Sequence, residues 1–482
     1  SSSSIAKARY SLPICKSSLS SRKDYIQEVA HIKRLLEFCT MVPGFQQHFT
    51  ENPQAALAEA GLSIEHPEEM AYLLDDASAQ AYLAMAEAKR PLSVRRYKAF
   101  VKEKIQQREE LQKQICVPKH KAFAIWRQRQ VNRCWGELGT RNLSLIHTPL
   151  IFELSKGCSV GCPFCGVAAE KLQKVTRYED CKELWQGILT YTAEILGKDA
   201  AGSGTCYYAC EPLDNPDYLS FSDDFLQAYG QVPQITTAAA GRNIENTRRI
   251  MAHVLGQKKH IHRFSILSLD ILKKIFAAFT PEELVYVELL PQFPEAPACH
   301  FAKTGRAREY SYQEKVMEEE AGTISCISGF VVNMAEQSLR LVTPCLSTAK
   351  EPTGERILAK AYFADVEDFQ EKFVAMLKTY MPEELDNNQV LRLRTTLQFE
   401  LIDKGIAYSH NLQKFKISLL DGEGEQPGLH QQIYKQLVPG TQTGYEIISN
   451  LMDAGYAPAN VIRGLKEFYN AGILLEKYEI GD

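Results

Sequence analysis

Between about residues 145 and 345, short apolar runs alternate with amphipathic helical stretches. The runs are SLIHTPLIFEL, GTCYYACEP, VPQITTAAA, HRFSILSL and ELVYVELLPQ, then GFVVNM and LRLVTPC. Strands with a helix between them cannot close as two-residue hairpins, and the crossover brings them side by side in parallel. A succession of such units builds a parallel sheet covered by helices. About six units predict an α/β fold whose centre, residues 145–390, is an open, partial (β/α)6 barrel with a C-terminal extension.

The flanks read differently. Residues 1–144 predict a helical domain. In DYIQEVAHIKRLLEFC, Tyr25, Val29, Ile32, Leu36 and Cys39 fall at steps of four and three, a single helical stripe. In TENPQAALAEAG, Asn52 is a cap candidate, Pro53 takes the first helical position and Gly61 the stop. From Lys89 to Arg133 the chain is rich in Lys and Arg, which reads as a solvated helix face or as a surface for an acidic peptide. Residues 391–482 predict a winged-helix-like module. GIAYSHNLQKFKISLL reads as a β-hairpin, and three helical segments follow, with Gly455 and Gly472 at helix stops.

Bulk properties narrow the function. A net charge of −4 argues against nucleic acid as the main partner. No apolar run reaches about 18 residues, so no membrane span is expected. The leading SSSSIAKARYSLP lacks the apolar core of a signal peptide. The 13 cysteines form no compact disulfide framework, which points to a reducing, cytoplasmic compartment. Cys15, Cys39, Cys116, Cys134 and Cys181 then read as small buried apolar residues.

Three cysteines break that pattern. ELSKGCSVGCPFCG sets Cys158, Cys162 and Cys165 within eight positions, with Phe164 before the last. Zinc would ask for four ligands, often as two CxxC pairs, and this CxxC has no partner pair; a distant Cys210 or a histidine would have to complete the site. A [4Fe–4S] cluster held by three thiolates keeps one iron open to something else.

CxxxCxxC, on a loop leaving the first strand of a βα unit, resembles the radical S-adenosylmethionine (SAM) superfamily. The resemblance implies one [4Fe–4S] cluster on Cys158, Cys162 and Cys165. Its open iron would chelate the amino and carboxylate groups of SAM, and an electron from the cluster would release a 5′-deoxyadenosyl radical. It also implies a radical SAM barrel whose strand ends contact SAM. The Gly-Gly-Glu-like motif of that family is reduced here to Ala209-Cys210-Glu211, so Glu211 alone carries over. Thr236 and Thr237 end the next strand, and Ser265 stands where the family often contacts the ribose. These hydroxyls equally suit helix capping.

No cysteine follows Cys345, and no CxxC occurs after Cys165. A second cluster is therefore not expected, and a substrate radical would be quenched by hydrogen transfer from a thiol. CYYACEPLDNPDY, AKTGRAR, SGFVVNM and RLVTPC are similar to the radical SAM peptide epimerases that mature ribosomal peptides of the proteusin type. That likeness covers roughly 145–360. It implies Cα hydrogen abstraction from an L-residue and hydrogen return to the opposite face from a cysteine. Cys345, at a predicted strand end where barrel enzymes place catalytic groups, is the donor candidate, with Cys326 as the alternative. The implied partners are a precursor peptide, leader and core, and a reductase or flavodoxin or ferredoxin as electron donor. The C-terminal module resembles the peptide-recognition elements that bind a leader as an added strand. HFTENPQAALAEAGLSI resembles leaders of nitrile-hydratase-like precursors and equally a plain helical hairpin. The competing readings are another radical SAM peptide enzyme, forming thioether or carbon cross-links, and a non-enzymatic zinc-stabilised peptide-binding protein.

Overall fold

The computed structural model describes residues 22–255, 261–299, 304–308, 325–410 and 416–480. It is a mixed α/β protein. Twelve strands are assigned among these residues: β1 (Thr148–Glu153), β2 (Ser155–Lys156), β3 (Lys174–Val175), β4 (Thr236–Thr237), β5 (His262–Ile266), β6 (Val287–Pro291), β7 (Ile327–Asn333), β8 (Ser338–Pro344), β9 (Glu355–Tyr362), β10 (Leu397–Ile402), β11 (Gly405–His410) and β12 (Ile417–Leu420).

The central sheet is more fragmented than its apolar runs suggest. β1 pairs in parallel with β7, and β4, β5 and β6 pair in parallel. The GTCYYACEP run forms no ladder. Thr205 makes one parallel bridge to Gln234, and its carbonyl accepts the Phe152 N–H at 2.9 Å, so this segment links β1 to the β4 side. Gly204 is the reason for the close approach, since a Cβ there would lie 1.9 Å from the Leu150 carbonyl oxygen. Between these parallel elements run amphipathic helices, among them Tyr178–Leu196, Tyr218–Tyr229, Ile244–Leu255 and Leu269–Ala278. Phe152, Trp185, Phe221 and Phe225, all fully buried, fill the core between them.

One expectation changes direction. The last two apolar runs become β7 and β8, which pair with each other antiparallel, and β9 adds to β8 antiparallel. Gln337, at positive φ, stands in the turn between them. Because β8 returns, its end at Pro344 lies where β1 and β7 begin, not at the opposite end where the cysteine loop leaves β1.

The N-terminal region is helical as read. Tyr25, Val29, Ile32 and Cys39 are buried and Leu36 is partly buried. Asn52 accepts the Ala55 N–H at 3.2 Å, and Gly61 stops the helix in the left-handed region. HFTENPQAALAEAGLSI is accordingly a pair of short helices, Phe45–Glu51 and Pro53–Ala60. The long helix Arg22–Met41 grips the β6 edge: Lys33 Nζ donates to the carbonyls of Leu284 at 3.2 Å and Val287 at 2.7 Å.

The basic stretch divides: Lys89, Lys102, Arg108, Lys113, Lys119 and Lys121 are exposed, as a solvated face would be, while four arginines turn inward. Arg96, Arg127, Arg129 and Arg133 are all buried. Arg127 donates to the carbonyls of Gln112, Ile146 and His147 and so ties the Lys121–Leu138 helix to the approach of β1. Of the scattered cysteines, Cys39, Cys116 and Cys134 are buried, Cys181 is half-buried, and Cys15 lies outside the described residues.

The C-terminal region has its own core of Leu397, Ile406, Ile433, Leu451, Leu465 and their neighbours. The predicted hairpin gains a preceding strand, giving an antiparallel sheet β10-β11-β12. The helices Leu429–Leu437, Gly444–Asp453 and Pro458–Asn470 follow. Charged side chains weld this unit to the Lys121–Leu138 helix: Arg394 to Glu137 at 2.6 Å, Arg133 to Glu479 at 2.5 Å, and Arg129 over the Tyr469 ring at 3.7 Å. No helix among the described residues is long and apolar enough to cross a membrane.

Candidate functional site

A cavity of about 610 Å³ runs along the inner side of the parallel elements. At one end stand Cys158, Cys162 and Cys165, with Glu211, Thr236 and Ser265 further along the wall. At the other end stand Thr148, Arg108 and Cys326. Thr237 lies behind this wall.

The cysteine loop is held by its own turns and by a clamp. Gly157 and Gly161 take positive φ, and at Gly157 a Cβ would meet the Lys171 carbonyl oxygen at 2.1 Å. The Cys158 N–H donates to the Glu170 carbonyl at 2.9 Å. The turn Gly305–Arg308, part of the AKTGRAR motif, lies on the loop. Arg306 donates through its backbone N–H to the Cys165 carbonyl at 2.9 Å. Its side chain donates to the carbonyls of Cys162 at 3.0 Å and Ala169 at 2.6 Å. The Cys162 thiol donates to the Cys165 sulfur, which pulls Cys165 down to about 5 and pushes Cys162 up. Backbone N–H groups of Ala169 and Val167 help hold the Cys165 thiolate. A thiolate is the form that ligates metal.

The donor set fits a group that takes three thiolates from one side. A tetrahedral zinc, with bonds of about 2.3 Å, draws its sulfurs within about 4 Å of each other. Among the described residues, the groups with ligand atoms within 4.8 Å of one another are His66–Glu68–Glu69 and Asp421–Glu425–His430, neither containing a cysteine. Cys210 lines the same cavity, where burial raises its thiol.

Glu211 follows the Thr205 segment and is buried. Its carboxylate accepts from Leu213 N–H at 2.7 Å, Ala238 N–H at 2.7 Å and the Thr237 hydroxyl at 2.9 Å. Burial nevertheless raises it to about 7. Thr237 therefore orients Glu211 rather than reaching the cavity. Thr236 is bonded to the Tyr207 hydroxyl at 2.7 Å. The helix after β5 is capped by Ser268, which leaves capping aside as the role of Ser265.

The two donor candidates separate. Cys326 directly precedes β7 and lines the cavity. Burial pushes its thiol up, so it carries its hydrogen at neutral pH. Cys345 does not line the cavity. It is fully buried at the seam with the C-terminal unit, where its thiol donates to Glu351 at 3.5 Å. The antiparallel return of β8 sets Cys345 at the same end of the sheet as Cys326, but its thiol meets Glu351 instead of the cavity.

Several lining residues escaped the sequence reading: Lys104, Arg108, Tyr208, Arg263 and Glu288. Arg263 was reachable, because the buried–half-buried alternation of β5 sets it on the same face as Ser265. Tyr208 donates to Glu355, whose carboxyl burial raises.

No family model matches the chain, and no solved structure matches it. It is 31% identical over 460 residues to an uncharacterized protein of Sinorhizobium fredii, y4wI, an alignment spanning 93% of this chain and 87% of that protein. Identity of this extent across nearly all of both chains places them together: the chain belongs to the family of y4wI.

Proposed function

We propose that the protein is a radical SAM enzyme that converts L- to D-residues in a ribosomally made precursor peptide. The observation that carries this reading is the meeting of the three-cysteine loop, Glu211, Thr236, Ser265 and a protonated thiol on one cavity. The parallel order β7, β1, the Thr205 segment, β4, β5, β6 supports a partial barrel around it.

Cys158, Cys162 and Cys165 would hold a [4Fe–4S] cluster, which when bound supplies the electron that splits SAM and so the hydrogen-abstracting adenosyl radical. Glu211 would accept from the amino group of SAM, and its three donors fix it for that task. The sheet then sets the geometry of hydrogen return. β1 runs from Thr148, beside Cys326, to Glu153, before the cysteine loop. At about 3.3 Å per residue that is roughly 17 Å, room for a nucleoside and one amino-acid residue end to end. A hydrogen taken from the cysteine-loop side and returned by the Cys326 S–H from the other side would invert the Cα and leave a thiyl radical on Cys326, which one electron from the external reductase, flavodoxin or ferredoxin and a proton would return to the thiol. The β10-β11-β12 unit is the leader-binding candidate, because β12 is an edge strand with one partner among the described residues.

The test is incubation of anaerobic, reduced protein with SAM and a candidate precursor peptide in heavy water. One deuterium at Cα of a D-residue, with no mass change in light water, is expected. Loss of two hydrogens with a new cross-link would assign the chemistry to the cross-linking class instead.

A further inference from the structure

The Cys326 end of the cavity carries unbalanced charge. Lys104 and Arg108, from the Leu92–Glu110 helix, and Arg263, from β5, line it together with one carboxylate, Glu288 of β6. Lys104 Nζ occupies Glu288 Oε1 at 3.2 Å. Arg263 Nε lies 3.7 Å from Glu288 Oε2, beyond hydrogen-bond reach, and is a buried donor with no partner. Arg108 lines the cavity from the exposed side of its helix, and its guanidinium makes no hydrogen bond to the described residues. Two guanidiniums with open donors on the wall of one cavity, beside a single carboxylate already held by Lys104, attract an anion, and their fork suits a carboxylate.

These guanidiniums belong to the thiol end. The charges felt by Cys326 include Arg263, Arg108 and, from the other side, Glu355. The charges felt by the loop cysteines include Arg306, Glu211 and Asp214. An anion held by Arg108 and Arg263 thus sits with whatever lies against Cys326.

We propose that Arg108 and Arg263 form a carboxylate-binding subsite at the Cys326 end of the cavity. The peptide acted upon presents a carboxylate there, from an Asp or Glu side chain at or beside the target residue or from a free C-terminus. This names the substrate class of the cavity and rests on reading it as the peptide site.

The experiment is calorimetric titration of the full-length, cluster-loaded protein without SAM, at low ionic strength, with three capped dipeptides. N-acetyl-aspartyl-alanine amide carries a side-chain carboxylate, N-acetyl-asparaginyl-alanine a terminal one, and N-acetyl-asparaginyl-alanine amide none. At least one of the two acids is expected to bind about tenfold or more tightly than the neutral probe, a gap of about 1.4 kcal/mol, and the tighter acid identifies the source. Arg108→Gln and Arg263→Gln should each shrink the preference, and the double variant should abolish it, with melting temperatures taken to confirm folding. Equal binding of all three probes by the wild-type protein, absence of binding by any, or a preference that survives the folded double variant would overturn the subsite. The titration needs no SAM cleavage, so a carboxylate preference without D-residue formation would sink the epimerase reading alone. D-residue formation without the preference would sink the subsite alone.

Discussion

Cys326 and Cys345 differ in surroundings more than in sequence context. Both precede or follow an apolar strand, and burial pushes up both thiols. Only Cys326 opens onto the cavity. Cys326→Ala is therefore expected to keep SAM cleavage and lose D-residue formation, whereas Cys345→Ala keeps both; chiral amino-acid analysis of the treated peptide decides. Glu211 supplies a pH signature. Burial raises it from 4.5 to about 7, so the folded protein holds a proton that the unfolded chain releases. Stability from this group is present below pH 4.5 and falls as pH rises through 7. SAM binding asks for the ionised form, so affinity should increase from pH 6 to pH 8. Glu211→Gln should weaken SAM binding about tenfold, the loss of a charge-assisted hydrogen bond, and flatten that pH dependence. Equal pH profiles for the wild-type protein and the variant would remove Glu211 from the SAM site.

The elements were legible where periodicity speaks and illegible where direction or partner matters. β1, β5, β6, β7 and β8 each fall inside an apolar run that reads as a strand. An apolar run carries no arrow, so the return of β8 was not readable, and Cys345, at the end of its strand as expected, was assigned to the wrong end of the sheet. The Thr205 segment has strand composition but yields a single bridge, because small residues let it press onto β1. Arg108 was passed over for another reason: a charged residue on a charged helix reads as solvated, and Arg108 is indeed exposed, yet it borders the cavity. The three cysteines stood out in the sequence by their spacing, and the structure sets all three on the cavity wall. The Gly305–Arg308 clamp was present as a motif without a role. Gly305 has positive φ, and a Cβ there would lie 2.4 Å from the Gly166 carbonyl oxygen. Gly305→Ala should cost about 1–3 kcal/mol locally and loosen the cysteine loop. A lowered iron content at nearly unchanged helical circular dichroism is the expected result; full iron loading would show the clamp dispensable.

At the scale of the whole chain, the C-terminal unit has its own core but not its own independence. Glu137 and Glu479 sit in a buried network with Arg133, Arg356 and Arg394. Burial alone would raise both carboxyls, yet these arginines hold each at about 2. Their contribution is present above pH 4.5 and is lost as pH falls towards 2, so an acid-induced loosening of this seam is expected. Removing residues 391–482 takes away Arg394 and Glu479, leaving Glu137 with Arg133 at 3.6 Å and the Leu346 N–H at 2.9 Å, and Arg133 and Arg356 without Glu479. A broken buried pair costs about 3–5 kcal/mol. The truncated chain should melt far below the full one or fail to stay in solution, and an unchanged melting temperature would show the seam to be idle. The central claim is that the cysteine loop carries a redox cluster which opens SAM. Anaerobically prepared protein, reduced and given SAM without peptide, tests it most directly. About four irons and four sulfides per chain, with 5′-deoxyadenosine released slowly by the wild-type protein and not by the Cys158/Cys162/Cys165 triple Ala variant, is the result predicted. Bound zinc in place of iron, or 5′-deoxyadenosine from the triple variant, would contradict it.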